Sequence, residues 1–256
     1  MTDYLLIRLY GALASWGEIA VGELRHSAVQ PSRSALLGLL GAALGIERRD
    51  DATQTALAQG YRFGIQLLAS GSPLRDYHTI QMGEPRRKER FRSRRQSLAA
   101  DKVGTLLSQR EYRCDSIATI AIEALPQAPH SLAELAQALR QPRFVLYLGR
   151  KSCPLALPML PQLVQAEHLH AAFAAAQFPS PMALLDYKTP RQDWPTARDR
   201  HAFGLGQLRY YWEEGMSPGM PADFDHLRQD QPLSRSRWQF APRREWVALA
   251  EGGAAA

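Results

Sequence analysis

Residues 30–45 read QPSRSALLGLLGAALG, and the rest of the chain is organised around this stretch. Pro31, with Ser32 or Ser34 as an N-cap, predicts that a helix begins here and continues through a surface of leucine and small residues. Each internal glycine weakens an isolated helix by about 1 kcal/mol relative to alanine. The glycines at 38, 41 and 45 therefore predict that another backbone approaches this helix closely.

Arg33 lies in the first turn of the predicted helix, beside backbone amides that have no partner inside the helix. Free amides at a helix N-terminus, together with a guanidinium group, bind phosphate well. The pattern thus indicates a phosphate site at Arg33. The alternative is a buried, Gly/Ala-rich packing helix whose arginine is merely solvated.

The composition is that of a folded protein, because 45% of its 256 residues are apolar and can supply the core of one large or two small domains. The formal charge of +6 favours an acidic partner: nucleic acid first, then an anionic membrane or an acidic protein. Two cysteines and no signal-peptide pattern predict an intracellular protein without a disulfide scaffold. Most of the five tryptophans are expected to lie in the core.

Extended and helical segments follow one another on both sides of the central helix. Strands are predicted at 4–10, 61–68, 74–82, 117–123 and 144–148, and further helices at 53–59 and 131–141. The helix at 131–141 begins with a capping box of Ser131 and Glu134. With the segment after residue 82 set aside, the order is the βαββαβ pattern of an α+β, ferredoxin-like (RRM-like) fold. That fold raises the expectation of RNA binding without establishing it.

The C-terminal part of the chain has a different character. A helix at about 167–178 precedes short β-like runs in MALLDYK, QLRYYWE, SRWQF and EWVALA. We therefore expect one domain over residues 1–178 and a small β-rich subdomain over residues 179–256. The final GGAAA is expected to be a disordered tail.

A dense run of positive charge follows the third predicted strand. Its seven basic residues surround Phe91: Arg86, Arg87, Lys88, Arg90, Arg92, Arg94 and Arg95. Such a run repels itself and cannot lie in a core, so we predict a protruding, mobile arm that binds a polyanion. Phosphate contacts by the arm would release counterions, and Phe91 is able to stack on a base. The alternatives are a solvated loop and a surface that binds an acidic protein.

The motif LRDYHT places Arg75, Tyr77 and His78 at the base of this arm. A histidine, a tyrosine and a cation are able to cleave RNA without a metal, by activating a 2'-hydroxyl and stabilising charge on the phosphate. Successive strand residues point to opposite faces, so we favour a structural or RNA-positioning role and predict no catalytic residue. His168 and His170 lack the spacing of zinc ligands, and we predict no metal and no cofactor.

Five blocks carry a family resemblance, in this order along the chain: LYGALASWG, PSRSALLGLLGAALGIERRD, LRDYHT, EYRCD and YLGRKSCPL. Together they resemble the CasD subunits of Cascade, the type I-E CRISPR surveillance complex, within the Cas-five family of repeat-associated RNA-binding proteins. The likeness extends to about residue 161. The C-terminal third is similar through its β-rich character and the closing REWVAL.

The resemblance implies a ferredoxin-like domain with a β-hairpin thumb at about 78–111 and a smaller C-terminal β region. It also implies a non-catalytic subunit of a cytoplasmic ribonucleoprotein complex for antiviral defence, with no membrane partner. In the family, this subunit caps the 5' handle of the CRISPR RNA and joins the backbone filament to the large PAM-recognising subunit. A related type I-C member cuts repeat RNA, so a metal-independent endoribonuclease is the alternative.

Matched by position, the resemblance implies RNA contacts by nine residues: Arg33, Ser34, Arg75, Tyr77, His78, Tyr147, Arg150, Lys151 and Ser152. The charge of the arm adds Arg90, Arg92, Arg94 and Arg95 as RNA contacts. An arm this rich in arginine departs from the family's usual thumb. Target DNA and a neighbouring backbone subunit are therefore alternative contacts for the arm.

Overall fold

The computed structural model describes residues 1–20, 22–85, 90–186 and 192–250. Its strands are β1 (Thr2–Tyr10), β2 (Leu13–Ala14), β3 (Trp16–Gly17), β4 (Leu24–Arg25), β5 (Ser27–Ala28), β6 (Tyr61–Ala69), β7 (Ser72–Gly83), β8 (Val103–Cys114), β9 (Ile117–Ala124), β10 (Gln162–Ala166), β11 (Leu208–Glu213), β12 (Phe224–Ser234) and β13 (Gln239–Ala250). Its helices are α1 (Arg33–Leu44), α2 (Asp51–Gly60), α3 (Arg94–Leu98), α4 (Leu132–Arg140), α5 (Leu169–Ala174), α6 (Pro181–Leu185) and α7 (Ala197–Phe203). Residues 86–88 of the predicted arm and the predicted disordered tail at 252–256 lie outside the described residues.

Seven strands form a central antiparallel sheet in the order β10-β1-β9-β6-β11-β13-β12, which makes the protein a sheet-rich, mixed α/β molecule. The expected half-buried strand at 4–10 is instead buried on both faces. Leu5 and Ile7 pack with α1 and α4, whereas Tyr4 and Leu6 pack with α5 on the other side. Both faces are covered, and this explains why β1 is an almost continuous apolar run.

Helix α1 forms where the sequence predicts it. The hydroxyl of Ser32 caps its first turn, and Gly45 ends it in the left-handed conformation at φ 77°. The expected approach of another backbone is wrong at Gly38, Gly41 and Gly45, because the atoms nearest to a Cβ at each position belong to side chains. At Gly38, Nη2 of Arg235 lies 2.8 Å from the position that the Cβ would take.

The predicted strand at 144–148 is wrong, because β10 is the strand that pairs with the outer side of β1. In the described chain, the segment makes only an isolated bridge between Tyr147 and Pro154. The N–H of Phe144 donates to the carbonyl of Ala42 at the end of α1, at 3.0 Å, and is thus unavailable to a sheet. Leu148 is buried in the core, and burial of alternate residues produces the strand-like pattern.

The C-terminal strands extend the central sheet. QLRYYWE forms β11, which pairs with β6 through Tyr211 and Ile65, and EWVALA lies in β13 as expected for a β-rich region. The β-like prediction for MALLDYK is wrong over residues 182–185, because Ser180 caps a short helix with Pro181 at its first position. The last two residues of that run, Tyr187 and Lys188, lie outside the described residues. The division of the chain at residue 178 stays a prediction.

Strands β7 and β8 form a long hairpin outside the central sheet. Their register runs without a shift from the pair Ser72–Cys114 to the pair Gly83–Val103. Twelve residues in each strand correspond to a length of about 40 Å. The thumb expected at about 78–111 is thus a hairpin that starts earlier and ends later, and α3 lies at its tip. The hydroxyl of Ser97 in α3 accepts from the N–H of Gly83 at 3.0 Å.

A buried ion network ties α1 to the C-terminal strands. Its members have side-chain exposures between 2% and 11%: Arg33, Arg228, Arg243, Glu213, Asp230 and Glu245. The Arg33 guanidinium pairs with Glu213 and donates to the carbonyl of Tyr61 at 3.0 Å, while the Arg33 N–H donates to Asp230 at 2.8 Å. The predicted RNA contact of Arg33 is therefore corrected to a structural role, because its guanidinium is buried within the protein.

The network sets opposite pKa shifts on two of its carboxylates. Burial alone would raise the pKa of Glu245, but His226, Arg228 and Arg243 lower it to about 2. Burial raises the pKa of Glu213, although the charge of Arg33 opposes that shift. Glu213 therefore depends on Arg33 as its partner.

Replacement of Arg33 by alanine is expected to lower the free energy of unfolding by about 3–5 kcal/mol, because Glu213 would stay buried without its partner. A double variant, Arg33→Met with Glu213→Leu, is expected to be more stable than Arg33→Ala, since no uncompensated charge remains. Urea unfolding measures the free energy of unfolding of both variants, with Arg49→Ala, a substitution of an exposed arginine, as the control. Equal stability of Arg33→Ala and Arg49→Ala would contradict the structural role.

Candidate nucleic-acid interface

The base of the hairpin carries the predicted residues Arg75, Tyr77 and His78. Alternation along β7 places Arg75 and Tyr77 on one face and His78 on the other. His78 contacts the carboxylate of Asp76, which shares its face, and Tyr77 is 58% exposed. The hairpin therefore separates Tyr77 from His78, as the strand pattern predicts.

Glu111 on β8 contacts two side chains at this base, those of Arg75 and His26. Its Oε1 lies 3.0 Å from Nη2 of Arg75, and its Oε2 lies 3.2 Å from Nδ1 of His26. Burial opposes ionisation, but the hydrogen bonds from His26 and Arg75 lower the pKa of Glu111 below its usual value. Arg75 is therefore held by an ionised carboxylate, although its side chain remains 65% exposed.

The tip of the hairpin presents arginines to solvent. Ser93 caps α3, and Oε1 of Gln96 accepts from the N–H of Arg92 at 2.9 Å, so the short helix is held by its own side chains. All four predicted residues of this part are exposed: Arg90, Arg92, Arg94 and Arg95. Within the described ranges, none of them forms an ion pair. The positive charges of these four arginines are therefore not compensated by ion pairs within the described residues.

A second group of predicted residues lies in the loop after Tyr147. Gly149 adopts φ 84°, and a Cβ there would meet the carbonyl oxygen of Ser15. The guanidinium of Arg150 lies 5.1 Å from the ring centroid of Tyr112 in β8, which connects this loop to the base of the hairpin. The next two predicted residues are exposed: Lys151 and Ser152.

A groove of about 1150 Å³ lies between α1, the loops at 15–19 and 145–149, and strands β11 to β13. Of the predicted residues, Ser34 and Tyr147 line it. Arg33 does not line it, and the hairpin residues lie elsewhere. The groove is thus built mainly from residues that were not predicted as contacts.

The missed residues of the groove are arginines and exposed aromatic side chains from the C-terminal strands. Phe224 is 50% exposed and Trp238 is 62% exposed, and Arg209 and Arg235 line the same groove. Trp238 is thus an exception to the expectation that most tryptophans lie in the core. The interleaving of basic and aromatic residues in LSRSRWQF, at 233–240, was the available signal.

No group of three His, Cys, Asp or Glu side chains in the described residues is arranged to hold a metal ion. His168 instead accepts from the N–H of Ala171 at 3.1 Å as the N-cap of α5, and its ring stacks on His170. Over the same described part, no helix is long and apolar enough to cross a membrane.

Comparison with known proteins identifies the family. A family model described as CRISPR-associated protein (Cas_Cas5) matches residues 4–245. The CRISPR system Cascade subunit CasD of Escherichia coli (strain K12) is 36% identical over 263 residues, covering 98% of each chain. These matches confirm the resemblance carried by the five sequence blocks.

Two solved structures share the fold. A chain of a CRISPR RNA-guided surveillance complex is 23% identical, with a TM-score of 0.62 that covers 97% of this chain and 90% of that chain. A chain described as a crystal structure of a Cas protein is 26% identical, with a TM-score of 0.58 and coverages of 97% and 94%. The chain belongs to the Cas5 family of CRISPR-associated proteins, as a member of its type I-E, Cascade branch.

Proposed function

We propose that this chain is a non-catalytic subunit of a cytoplasmic, CRISPR RNA-guided complex, in which it binds and caps the 5' handle of the CRISPR RNA. The observation that carries the proposal is the hairpin tip, where four exposed arginines have no ion-pair partner in the described structure. A protein in isolation gains nothing from such a cluster, because like charges repel one another. A polyphosphate backbone removes that repulsion and releases counterions.

The fold supports the same proposal. Half of the central sheet has the order β10-β1-β9-β6. Among these four strands, β1 comes first along the chain, β6 second, β9 third and β10 fourth, so their order in the sheet is 4-1-3-2. We infer from this order that residues 1–178 form a ferredoxin-like domain with the β7–β8 hairpin inserted in it, and that the region from 179 onward is an accessory β region. Modules of this architecture hold single-stranded RNA by stacking and by phosphate contacts.

The groove beside α1 suits a few splayed nucleotides of the handle. Its volume exceeds that of most small-molecule sites, and its walls combine exposed aromatic rings with arginines. Ser34 and Tyr147 line this groove, and Arg150, Lys151 and Ser152 come directly after Gly149, which also lines it. Among the predicted contacts, these residues and the tip arginines are the ones we propose for the handle.

The partners of this subunit follow from the family. The E. coli relative is described as a subunit of Cascade. We propose that this chain belongs to such a complex and joins its backbone filament to its large subunit. The alternative function is metal-independent cleavage of repeat RNA. The opposite faces of Tyr77 and His78 do not favour it, since a general base and a second group must reach the same phosphate.

Neutralisation of the tip is expected to reduce the salt dependence of RNA binding. In the quadruple variant of Arg90, Arg92, Arg94 and Arg95 to glutamine, the slope of log K against log salt should fall by about 0.7 for each phosphate that is no longer neutralised. Fluorescence anisotropy with labelled repeat RNA measures the slope. The same four positions changed to lysine are the control and should keep it. An unchanged slope in the glutamine variant would assign the tip to a protein partner.

The non-catalytic assignment is tested with end-labelled repeat RNA, incubated with the purified chain in the presence of EDTA. Native gels should show a shifted RNA, and denaturing gels should show that the RNA is intact. A shorter product that is lost in both His78→Ala and Tyr77→Phe would establish the endoribonuclease instead.

A further inference from the structure

Two arginines from distant parts of the chain meet at the mouth of the groove. Arg48 follows α1, and Arg235 lies in the turn between β12 and β13. Nε of Arg48 donates to the backbone carbonyl of Arg235 at 3.3 Å, and its guanidinium lies 3.9 Å from the ring centroid of Trp238. Nη1 of Arg235 donates to the carbonyl of Ser34 at 3.3 Å. Both guanidinium groups are thus held in place by the protein.

The positive charges of this pair are not neutralised. In the described ranges, neither arginine forms an ion pair with a carboxylate. Asp51, which reaches the same turn, accepts instead from the hydroxyls of Ser234 and Ser236. Burial and the nearby charge of Arg48 lower the pKa of Arg235. The two like charges therefore repel each other, and an anion that contacts both would relieve the repulsion.

An aromatic surface lies next to the pair. Arg48 covers part of the Trp238 ring, yet Trp238 remains 62% exposed, and the ring of Phe240 lies 6.2 Å away. Exposed tryptophan beside arginine is a combination that binds nucleotides, because the ring stacks on a base while guanidinium groups bind phosphate. A partner that offered only carboxylates would pair with the two arginines but would not stack on the Trp238 ring.

The absence of a side chain at residue 38 makes room for this arrangement. The Arg235 guanidinium passes over Gly38, where any Cβ would come within 2.8 Å of Nη2. Gly38 thus leaves room for the Arg235 side chain to pack against α1 while its guanidinium stays at the groove.

We propose that Arg48 and Arg235 bind one phosphate of a single-stranded RNA and that Trp238 stacks on an adjacent base. This nucleotide site rests on the RNA-binding function proposed above and deepens it. It consists of residues from α1, the turn that follows it and the β12–β13 turn, and it is separate from the arginines of the hairpin tip.

The test uses full-length chain and fluorescein-labelled repeat RNA, with binding measured over a range of salt concentrations. Arg48→Gln with Arg235→Gln should weaken binding and lower the salt slope by about 0.7, the value for one phosphate. Arg49→Gln is the control: this exposed neighbour loses one charge and therefore matches Arg48→Gln alone in its change of charge. Arg48→Gln alone should show the same direction of change, and it leaves the packing of Arg235 over Gly38 intact.

Trp238→Ala should weaken binding by about 5- to 100-fold at an unchanged salt slope, and Trp238→Phe should restore much of the affinity. Circular dichroism and urea midpoints confirm that each variant is folded. If the wild-type chain binds no repeat RNA, the RNA-binding function and this site both fail. If the wild type binds and the double arginine variant matches Arg49→Gln, only the site is overturned. Unaltered RNA binding in variants that no longer assemble into the complex would show that an acidic protein occupies the site.

Discussion

The buried pairing of Arg33 with Glu213 is the interaction on which the rest of the structure depends. It joins the first turn of α1 to β11, across 180 residues of the chain between Arg33 and Glu213. Two charges at this depth are stable only because each compensates the other and because carbonyl oxygens and neighbouring ions complete their environment. The same network fixes β12 and β13 beside α1, so the walls of the groove are positioned by largely buried charges.

The groove owes its shape to the small residues of α1. Gly38 leaves space for Arg235, and Ser34 offers a backbone carbonyl to it, so the helix surface carries a charged side chain where a larger residue would have filled the gap. The cost of a glycine in the helix is offset by the packing of α1 against the core, because leucines on its opposite side are buried. Stability and the binding surface are thus supplied by different faces of one helix.

The hairpin follows a different principle. Its strands pair with each other along their whole length, and among the described residues they pair with other strands only near the base, so the tip is free of the constraints of the core. A dense cluster of arginines is tolerated there because solvent screens it and because α3 supplies its own caps. The central sheet forms the rigid part of the molecule, and the hairpin holds its arginines outside that sheet.

Much of this protein follows from local pattern. The start of α1, the capping box of α4, the strands β6, β7 and β9 and the exposed arginines at 90–95 were predictable because each depends on residues close together in sequence. Tertiary structure alone decided the rest. The apolar alternation at 144–148 is typical of a strand, but the N–H of Phe144 donates to the end of α1. Arg33 has the position of a phosphate ligand in the sequence, but in the fold its guanidinium is buried and pairs with Glu213. Arg48, Arg235 and Trp238 are far apart in sequence, so their meeting depends on how strands and helices pack, which no local pattern encodes.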